Sequence, residues 1–316
     1  MKKYIIVSVL ESFEFPLREA TRKQIWWTAK EKLIEQYDVE ILIFSNFNKT
    51  VVFENIQIKF VKRRFLSLYF KADTIHFITG SISVSLLIPT FWLGKKKLTL
   101  TDGDMFGYNR IRIRKLILPI ISLIYNKIIV YSKYQKGRLK LSKKIFIEKP
   151  ILPLIIVDPK FERTSKPSLL FMGHLSYFKG VDTIILAFKK LIIEIPDLTW
   201  VIANNGIRGD KKLIDEVLRL KKLYPDNIVI KGIVNPIEEL SQAWIYLYPF
   251  KKAVGTMAFA LSLYEAERCN TPYVACDVGA NSEFFNPDYL IDVNDSEAMT
   301  KKIKYFIDER KVSRNI

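Results

Sequence analysis

Two stretches of this sequence combine residue types and spacing that can do chemistry. The first is Gly173-His174-Leu175-Ser176-Tyr177-Phe178-Lys179-Gly180, set between the strand-like run Ser168–Met172 and a helical pattern that starts near Val181. Gly173 lets the chain turn where the strand ends, and Gly180 opens the helix. Lys179 then stands beside a positive helix end, a combination that suits an anion such as a phosphate. On this loop alone a solvated lysine is the stronger reading, and His174 in isolation is an ordinary loop histidine. The second stretch is Thr256-Met257-Ala258-Phe259-Ala260-Leu261-Ser262-Leu263-Tyr264-Glu265-Ala266, which continues through Asn270-Thr271-Pro272 into Tyr273–Cys276. Ala258 and Ala260 are small enough to let a ligand approach backbone at a helix start. Glu265, about two turns further on, has the chemistry to accept hydrogen bonds from a ribose diol; an isolated helical glutamate otherwise faces water. Asn270 suits a left-handed helix stop.

The elements that must position these residues follow from the hydrophobic pattern. Tyr4–Val9 is a continuous apolar run, as expected of a strand buried on both faces. Arg18 to Gln36 reads as a helix, with Ile25, Trp26, Ala29, Leu33 and Ile34 at helical spacing. Further strands are expected at Val39–Phe44, Asp73–Ile78, Lys97–Thr101 and Asn126–Tyr131, with a strand or hairpin over Val51–Val61. In the second half strands are expected at Ser168–Met172, Thr199–Ala203, Asn227–Lys231, Ile245–Tyr248 and Pro272–Cys276. Helices fit Val181–Ile193, Asp210–Lys222, Ile237–Ala243, Met257–Cys269 and Ser296–Asp308. Repeated strand–helix–strand units imply an α/β fold of parallel sheets covered by helices. With four prolines between Pro150 and Pro167, the chain divides into an N-terminal Rossmann-like domain over 1–155 and a C-terminal one over 156–316. Two doubly wound domains of this kind are expected to leave a cleft at their strand C-terminal ends.

Composition narrows the partners. The 316 residues are 49% apolar and 26% charged, which excludes disordered and fibrous classes. The run Leu116 to Tyr125 is too short to span a bilayer, and Tyr4–Leu10, interrupted by Glu11 and Glu14, reads as a first strand rather than a signal peptide. Cys269 and Cys276 carry no metal-ligand pattern around them and suit a reducing cytoplasm, and only His76 and His174 offer imidazole. The net charge of +17 is uneven. Residues 1–155 hold 28 basic and 12 acidic side chains, residues 156–316 hold 22 and 21, and residues 110–149 hold twelve basic groups against Glu148 alone. Such a potential attracts anionic partners. Basic groups flanking the apolar run 116–125 point to peripheral attachment at an anionic membrane surface, on its cytoplasmic face. The alternative is a buried domain helix with solvated charges. No helix-turn-helix, RNP or zinc-finger pattern supports nucleic-acid binding, and Trp26-Trp27 reads as core.

Taken together, the motifs resemble the retaining family-4 (group 1) glycosyltransferases of the GT-B fold, whose C-terminal half reads strand, Gly-Arg-Leu-x-x-x-Lys-Gly, helix. Here that stretch is Gly173-His174-Leu175 through Lys179-Gly180. Gly232-Ile233-Val234 matches the family's later turn. Glu265-Ala266-Glu267-Arg268-Cys269-Asn270-Thr271-Pro272-Tyr273-Val274-Ala275 matches its Glu-Ala-x-x-x-Gly-Thr-Pro-Val-Val-Ala segment, and Asp277-Val278-Gly279 and Glu283 continue the likeness. The likeness is good over 168–307, moderate over 73–150 and weak before that.

The resemblance implies a hexosyltransferase-type enzyme moving a sugar, with retention and without a metal or other cofactor, from a UDP- or GDP-sugar to a hydroxyl acceptor on a glycan or a membrane-borne lipid. It assigns Lys179 and His174 to the donor diphosphate, Glu265 to the ribose, the backbone of Phe259, Ala260 and Leu261 to the phosphate cradle and Ile233 and Val234 to the base, with Gly173, Met257 and Ala258 also on the donor side and Lys179, His174 and Glu265 in the catalytic set. His76, Asp102 and Asp104 fall on the acceptor side, with Asp102 a catalytic candidate. In such enzymes the leaving phosphate takes the acceptor's proton, so no glycosidase-like carboxylate pair is required. The chain also departs from the family. Met257 stands where the first acid of the pair should be, and His174 replaces an arginine. Glu14–Thr21 replaces the Gly-rich loop, Ile78 occupies the position of a second histidine, and Thr99-Leu100-Thr101-Asp102 lacks the histidine of the family's Thr-x-His-Asp segment. These departures motivate an alternative: a catalytically silent GT-B-like binding subunit that supports a partner enzyme.

Overall fold

The structure, a computed structural model, describes residues 1–9, 20–62, 71–79, 97–102, 125–139, 143–152, 155, 157–204, 207–252 and 260–314. They fall into two compact units, one within residues 1–153 and the other within 154–253 and 260–316. The expectations at Asp104, Met257, Ala258 and Phe259, and for the apolar run 116–124, lie outside the described residues.

In the first unit the chain order is β1 (Lys3–Val9), α1 (Ala20–Ile34), β2 (Asp38–Phe44), β3 (Lys49–Phe53), β4 (Ile56–Val61), β5 (Thr74–Thr79), β6 (Lys97–Asp102), β7 (Lys127–Val130), α2 (Lys133–Leu139) and β8 (Ile145–Ile147). The strands form one sheet in the order β3-β4-β2-β1-β5-β6-β7-β8. Every neighbouring pair is parallel except β3 with β4. The ambiguous segment 51–61 resolves into that antiparallel hairpin because Glu54 and Asn55 both take positive φ, at 44° and 64°, the backbone a two-residue turn demands. On one face Ile25, Trp26 and Ala29 of α1 pack with Ile6, Ile41, Ile43 and Ile58 from the strands, most of the helical stripe visible in the sequence; Ile34, counted in that stripe, is exposed at the helix end instead. The edge strand β8 follows no expected run, since three residues flanked by lysines carry too little periodicity to be read.

His76, expected on the acceptor side, lies inside this sheet instead. It sits on β5 between Ile6 of β1 and Thr99 of β6 and is 4% exposed. Its Nδ1 shares a hydrogen bond of 2.7 Å with the Tyr4 hydroxyl, and its Nε2 one of 2.6 Å with the Thr101 hydroxyl. Both ring nitrogens are therefore satisfied within the fold, and the side chain offers neither to a ligand.

The second unit runs β9 (Ser168–Met172), α3 (Val181–Glu194), β10 (Thr199–Ala203), α4 (Lys211–Leu223), β11 (Ile228–Lys231), α5 (Pro236–Gln242), β12 (Ile245–Tyr248), α6 (Leu261–Arg268), β13 (Tyr273–Cys276), α7 (Asn281–Phe284), β14 (Leu290–Ile291) and α8 (Ser296–Arg314). Its six strands are parallel in the order β11-β10-β9-β12-β13-β14. Strands buried on both faces leave no room for polar alternation, and β12 and β13 are buried at every position. Phe188 of α3 packs on Trp200 of β10 with ring centroids 5.5 Å apart, inside the core that α3 and α8 share. Asn270, at φ 53°, ends α6 in the left-handed conformation. Ahead of β9, Arg163 donates hydrogen bonds to the carbonyls of Ala243, Cys269 and Asn270, so the proline-rich approach is clamped to the sheet.

Burial, helped by the charges of Lys32 and Lys127, lowers the His76 pKa from 6.5 to about 3. The unfolded chain takes up a proton at this imidazole below pH 6.5 that the folded chain refuses. Stability is therefore full above 6.5 and falls as the pH drops toward 3, by up to ~1.4 kcal/mol per pH unit. Urea unfolding between about pH 7 and 4 is expected to show a shallower pH slope in His76→Gln than in the unsubstituted chain.

Candidate functional site

A doubly wound sheet binds ligands where the strand order reverses direction. In the second unit the chain builds outward from β9 to β10 and β11, then returns to add β12 on the other side of β9. The reversal lies between the C-terminal ends of β9 and β12, and the two segments that leave those ends carry the candidate residues. Gly173 to Gly180 follows β9, and residues 249–260 lead from β12 to α6.

The loop after β9 is held from both sides. Ser176 caps a 3-10 turn over Tyr177–Lys179, its hydroxyl accepting from the Lys179 amide, and Gly180 (φ 70°) closes that turn and opens α3. A Cβ on Gly180 would lie 2.0 Å from the Pro249 carbonyl oxygen, so only glycine admits the β12 segment this closely. The Lys251 amide donates to the Phe178 carbonyl at 3.0 Å, and the Lys251 ammonium pairs with Asp182 in the first turn of α3 at 2.5 Å. On the other side the Leu175 amide donates to the Arg208 carbonyl, the Asp210 amide to the Leu175 carbonyl, and the Tyr177 amide to the Asp210 carboxylate at 2.8 Å. Gly209 is needed there, because a Cβ on it would meet the Leu175 carbonyl oxygen at 2.0 Å.

This frame fixes one cation. Lys179 is half-buried, its ammonium packed against Gly173, whose added Cβ would come within 2.6 Å of Nζ, and lying 5.0 Å from the centre of the Phe250 ring. Phe250 is stacked on Tyr248 at 4.0 Å and 7°. No carboxylate of the described residues pairs with Lys179, and burial alone pulls its pKa below the usual lysine value. An ammonium held this way gains most from an incoming anion, whose charge-assisted hydrogen bonds replace lost hydration. The ring face contributes about 0.5–2 kcal/mol of holding energy without neutralising the charge.

The structure places Ala260 as the residue that caps α6 and Leu261 as its first residue, both buried. Glu265 lies on the same helix, 5% exposed, close enough to Tyr246 of β12 for its charge to add to the burial that raises that hydroxyl's pKa. Gly173, Lys179, Ala260, Leu261 and Glu265 thus come from the two segments that flank the reversal point. Ile233 (55% exposed) and the half-buried Val234 lie in the turn after β11, two strands from β9, or roughly 10 Å along the sheet edge. His174 is exposed on the loop. Asp102 closes β6 of the first unit, paired in register with Thr79. Among the described residues no group of three His, Cys, Asp or Glu side chains can hold a metal ion, and no helix is long and apolar enough to cross a membrane.

Several residues that build the site were not visible in the motifs. Phe250 and Lys251 follow β12 as an ordinary aromatic and an ordinary lysine. Asp210 reads only as the first residue of an expected helix, and Asn204, which holds the Arg208 backbone by two hydrogen bonds, carries no local signal.

Two Rossmann-like units, the second with an anion-receptive loop at its reversal point, define the GT-B class of fold. Residues 155–316 match the family described as glycosyl transferases group 1, just over half the chain, and the protein belongs to that family. Among curated relatives, a human phosphatidylinositol N-acetylglucosaminyltransferase subunit is 25% identical over 199 residues, covering 60% of this chain and 40% of the relative. The gpi3 subunit of the same enzyme from Schizosaccharomyces pombe is 26% identical over 231 residues, covering 67% and 48%. The chain thus spans less than half the length of either relative. Among solved structures, the pneumococcal O-GlcNAc transferase GtfA in complex with UDP and GlcNAc superposes with a TM-score of 0.75 at 12% identity, covering 98% of this chain and 93% of that one. Anabaena HepE in complex with UDP-glucose gives 0.71 at 12% identity, covering 97% and 90%.

The close approach at Gly180 yields a direct test. Gly180→Ala forces a Cβ against the Pro249 carbonyl in a left-handed conformation and is expected to destabilise the protein by about 1–3 kcal/mol, read as a lowered urea midpoint.

Proposed function

We propose that this chain transfers a sugar from a nucleoside-diphosphate sugar to a hydroxyl acceptor, with retention of anomeric configuration and without a metal. The observation that carries the reading is Lys179, a half-buried ammonium with no carboxylate partner among the described residues, at the reversal point of a parallel sheet in a group 1 glycosyltransferase. Uridine is favoured over guanosine by the ligands named for GtfA and HepE. A lipid-linked acceptor at the cytoplasmic membrane face is supported by the phosphatidylinositol in the names of the curated relatives and by the basic first half of the chain.

In this reading Lys179 and the amides at the start of α6 bind the diphosphate, and Glu265 accepts hydrogen bonds from the ribose hydroxyls. Ile233 and Val234 flank the base. The bond from the sugar's anomeric carbon to the β-phosphate oxygen breaks while the acceptor oxygen bonds to the same face of that carbon. The electron pair leaves with the phosphate, whose oxygen takes the acceptor's proton. Negative charge grows on the diphosphate as that bond lengthens, so a fixed, poorly hydrated ammonium stabilises the transition state more than the ground state. His174, in place of an arginine, adds a second contact to the diphosphate.

A second reading is a binding subunit without turnover of its own. It is favoured by Met257 at the position of the family's first acid and by both curated relatives being named as subunits. Calorimetric titration with UDP-sugars followed by a product assay against a broad acceptor panel separates the two, because binding without product favours the second reading.

Lys179→Ala removes one buried charge-assisted contact and is expected to weaken UDP binding roughly tenfold to a hundredfold. It should cut transfer by at least as much. Glu265→Gln, which keeps the helix packing, should weaken UDP binding by a smaller factor. Wild-type affinity and rate in both variants, with melting temperatures unchanged, would rule out this donor site. Nuclear magnetic resonance of the product should show the donor's anomeric configuration, and a chelator should leave the rate unaltered.

A further inference from the structure

The first unit ends on an exposed sheet edge of unusual make-up. β8 is the terminal strand of the eight-stranded sheet, pairing on one side with β7. Only Ile145 of its three residues is buried; Phe146 is 46% exposed and Ile147 is 43% exposed. Four exposed lysines flank the strand in sequence or lie on the helix packed against it. Lys143 precedes the strand and Lys149 follows it, while Lys133 and Lys136 lie on α2, which packs against β8. Glu148 is the one acid between residues 125 and 152, and it is engaged by Lys127, whose ammonium also lies 5.7 Å from the centre of the Phe146 ring.

Edge strands are commonly protected by placing charges on the strand itself, so that pairing with another chain is blocked. Here the strand itself is Ile-Phe-Ile and the charges surround it. Exposed apolar side chains flanked by lysines suit an anionic bilayer in two ways. Apolar side chains enter the boundary between headgroups and acyl chains, while the ammonium groups stay at the depth of the phosphates. A nucleic acid would use the lysines but would leave the aliphatic Ile147 facing solvent.

From this we infer that the β8–α2 edge is a membrane-docking surface: Phe146 and Ile147 insert into an anionic lipid surface, and Lys133, Lys136, Lys143 and Lys149 contact its phosphate headgroups. The inference deepens the proposed function by giving the location of the acceptor a physical basis. The docking itself needs no nucleotide, so its failure and that of the donor site are separable.

The test is co-sedimentation of the purified chain with vesicles of phosphatidylcholine alone and of phosphatidylcholine mixed with phosphatidylglycerol, without nucleotide. Binding is expected only to the anionic vesicles. Lys136→Glu combined with Lys143→Glu should lower partitioning by at least tenfold, since each lysine lost near such a surface costs about fivefold. Phe146→Ser combined with Ile147→Ser should lower it comparably while leaving the salt dependence in place. Lys222→Glu, on an exposed position of α4 in the second unit, should bind as the unsubstituted chain does, and circular dichroism should show every variant folded. Absence of binding to anionic vesicles overturns the proposal, as does equal binding by the edge variants. Steeply salt-dependent RNA binding without vesicle binding overturns it in favour of a nucleic-acid surface. UDP titration of the same preparations reads the donor site independently.

Discussion

The candidate site rests on an ammonium placed where it has lost water without gaining a counter-charge from any described residue. Lys179 is held between the bare Cα of Gly173 and the face of Phe250, and neither neighbour can neutralise it. The adjacent cation, Lys251, differs in this respect: it is paired with Asp182 at 2.5 Å and serves to bind the β12 segment to α3. Two lysines a few residues from the same reversal point therefore have opposite duties, one structural and satisfied, the other left receptive. What separates them is the partner, not the residue type.

The surrounding structure keeps that ammonium still. Gly180 and Gly209 admit backbone approaches that any side chain would block, so the loop after β9 is pinned by β12 on one side and by residues 208–210 on the other. A ligand meeting this loop finds its donors already arranged and loses little binding energy to ordering them. Tyr248 stacked under Phe250 gives the aromatic face a backing of its own, which makes the position of the lysine a property of the sheet rather than of a mobile side chain.

In the first unit two buried titratable side chains are engaged from within the sheet. His76 joins β1, β5 and β6 through the hydroxyls of Tyr4 and Thr101, and Glu40, buried on β2, is engaged by Lys3 and Lys59 at 3.1 and 2.9 Å. Buried polar groups need partners, and here strands separated by dozens of residues supply them. Among the described residues of this unit the excess positive charge is densest around β8 and α2.

Much of the fold was legible in the chain itself. Continuous apolar runs marked the parallel strands of both sheets, and the glycines and lysine of residues 173–180 marked the loop, because strand burial and helix opening leave local signatures. The divided roles of the charged and titratable residues were not legible. His76 and Lys179 both carry plausible chemistry when read from the sequence. Only the pairing of distant strands showed that the first is consumed by hydroxyls from β1 and β6, and that the second has no carboxylate beside it among the described residues. Phe250, Asp210 and Gly209 carry no motif, since their contribution is contact across the sheet. Sequence determines which groups are present and which segments become strands and helices, through periodicity and turn chemistry acting over a few residues. Tertiary structure alone decides which of those groups are satisfied, because hydrogen-bond and ion-pair partners are chosen by strand order, and strand order is set by packing over the whole chain.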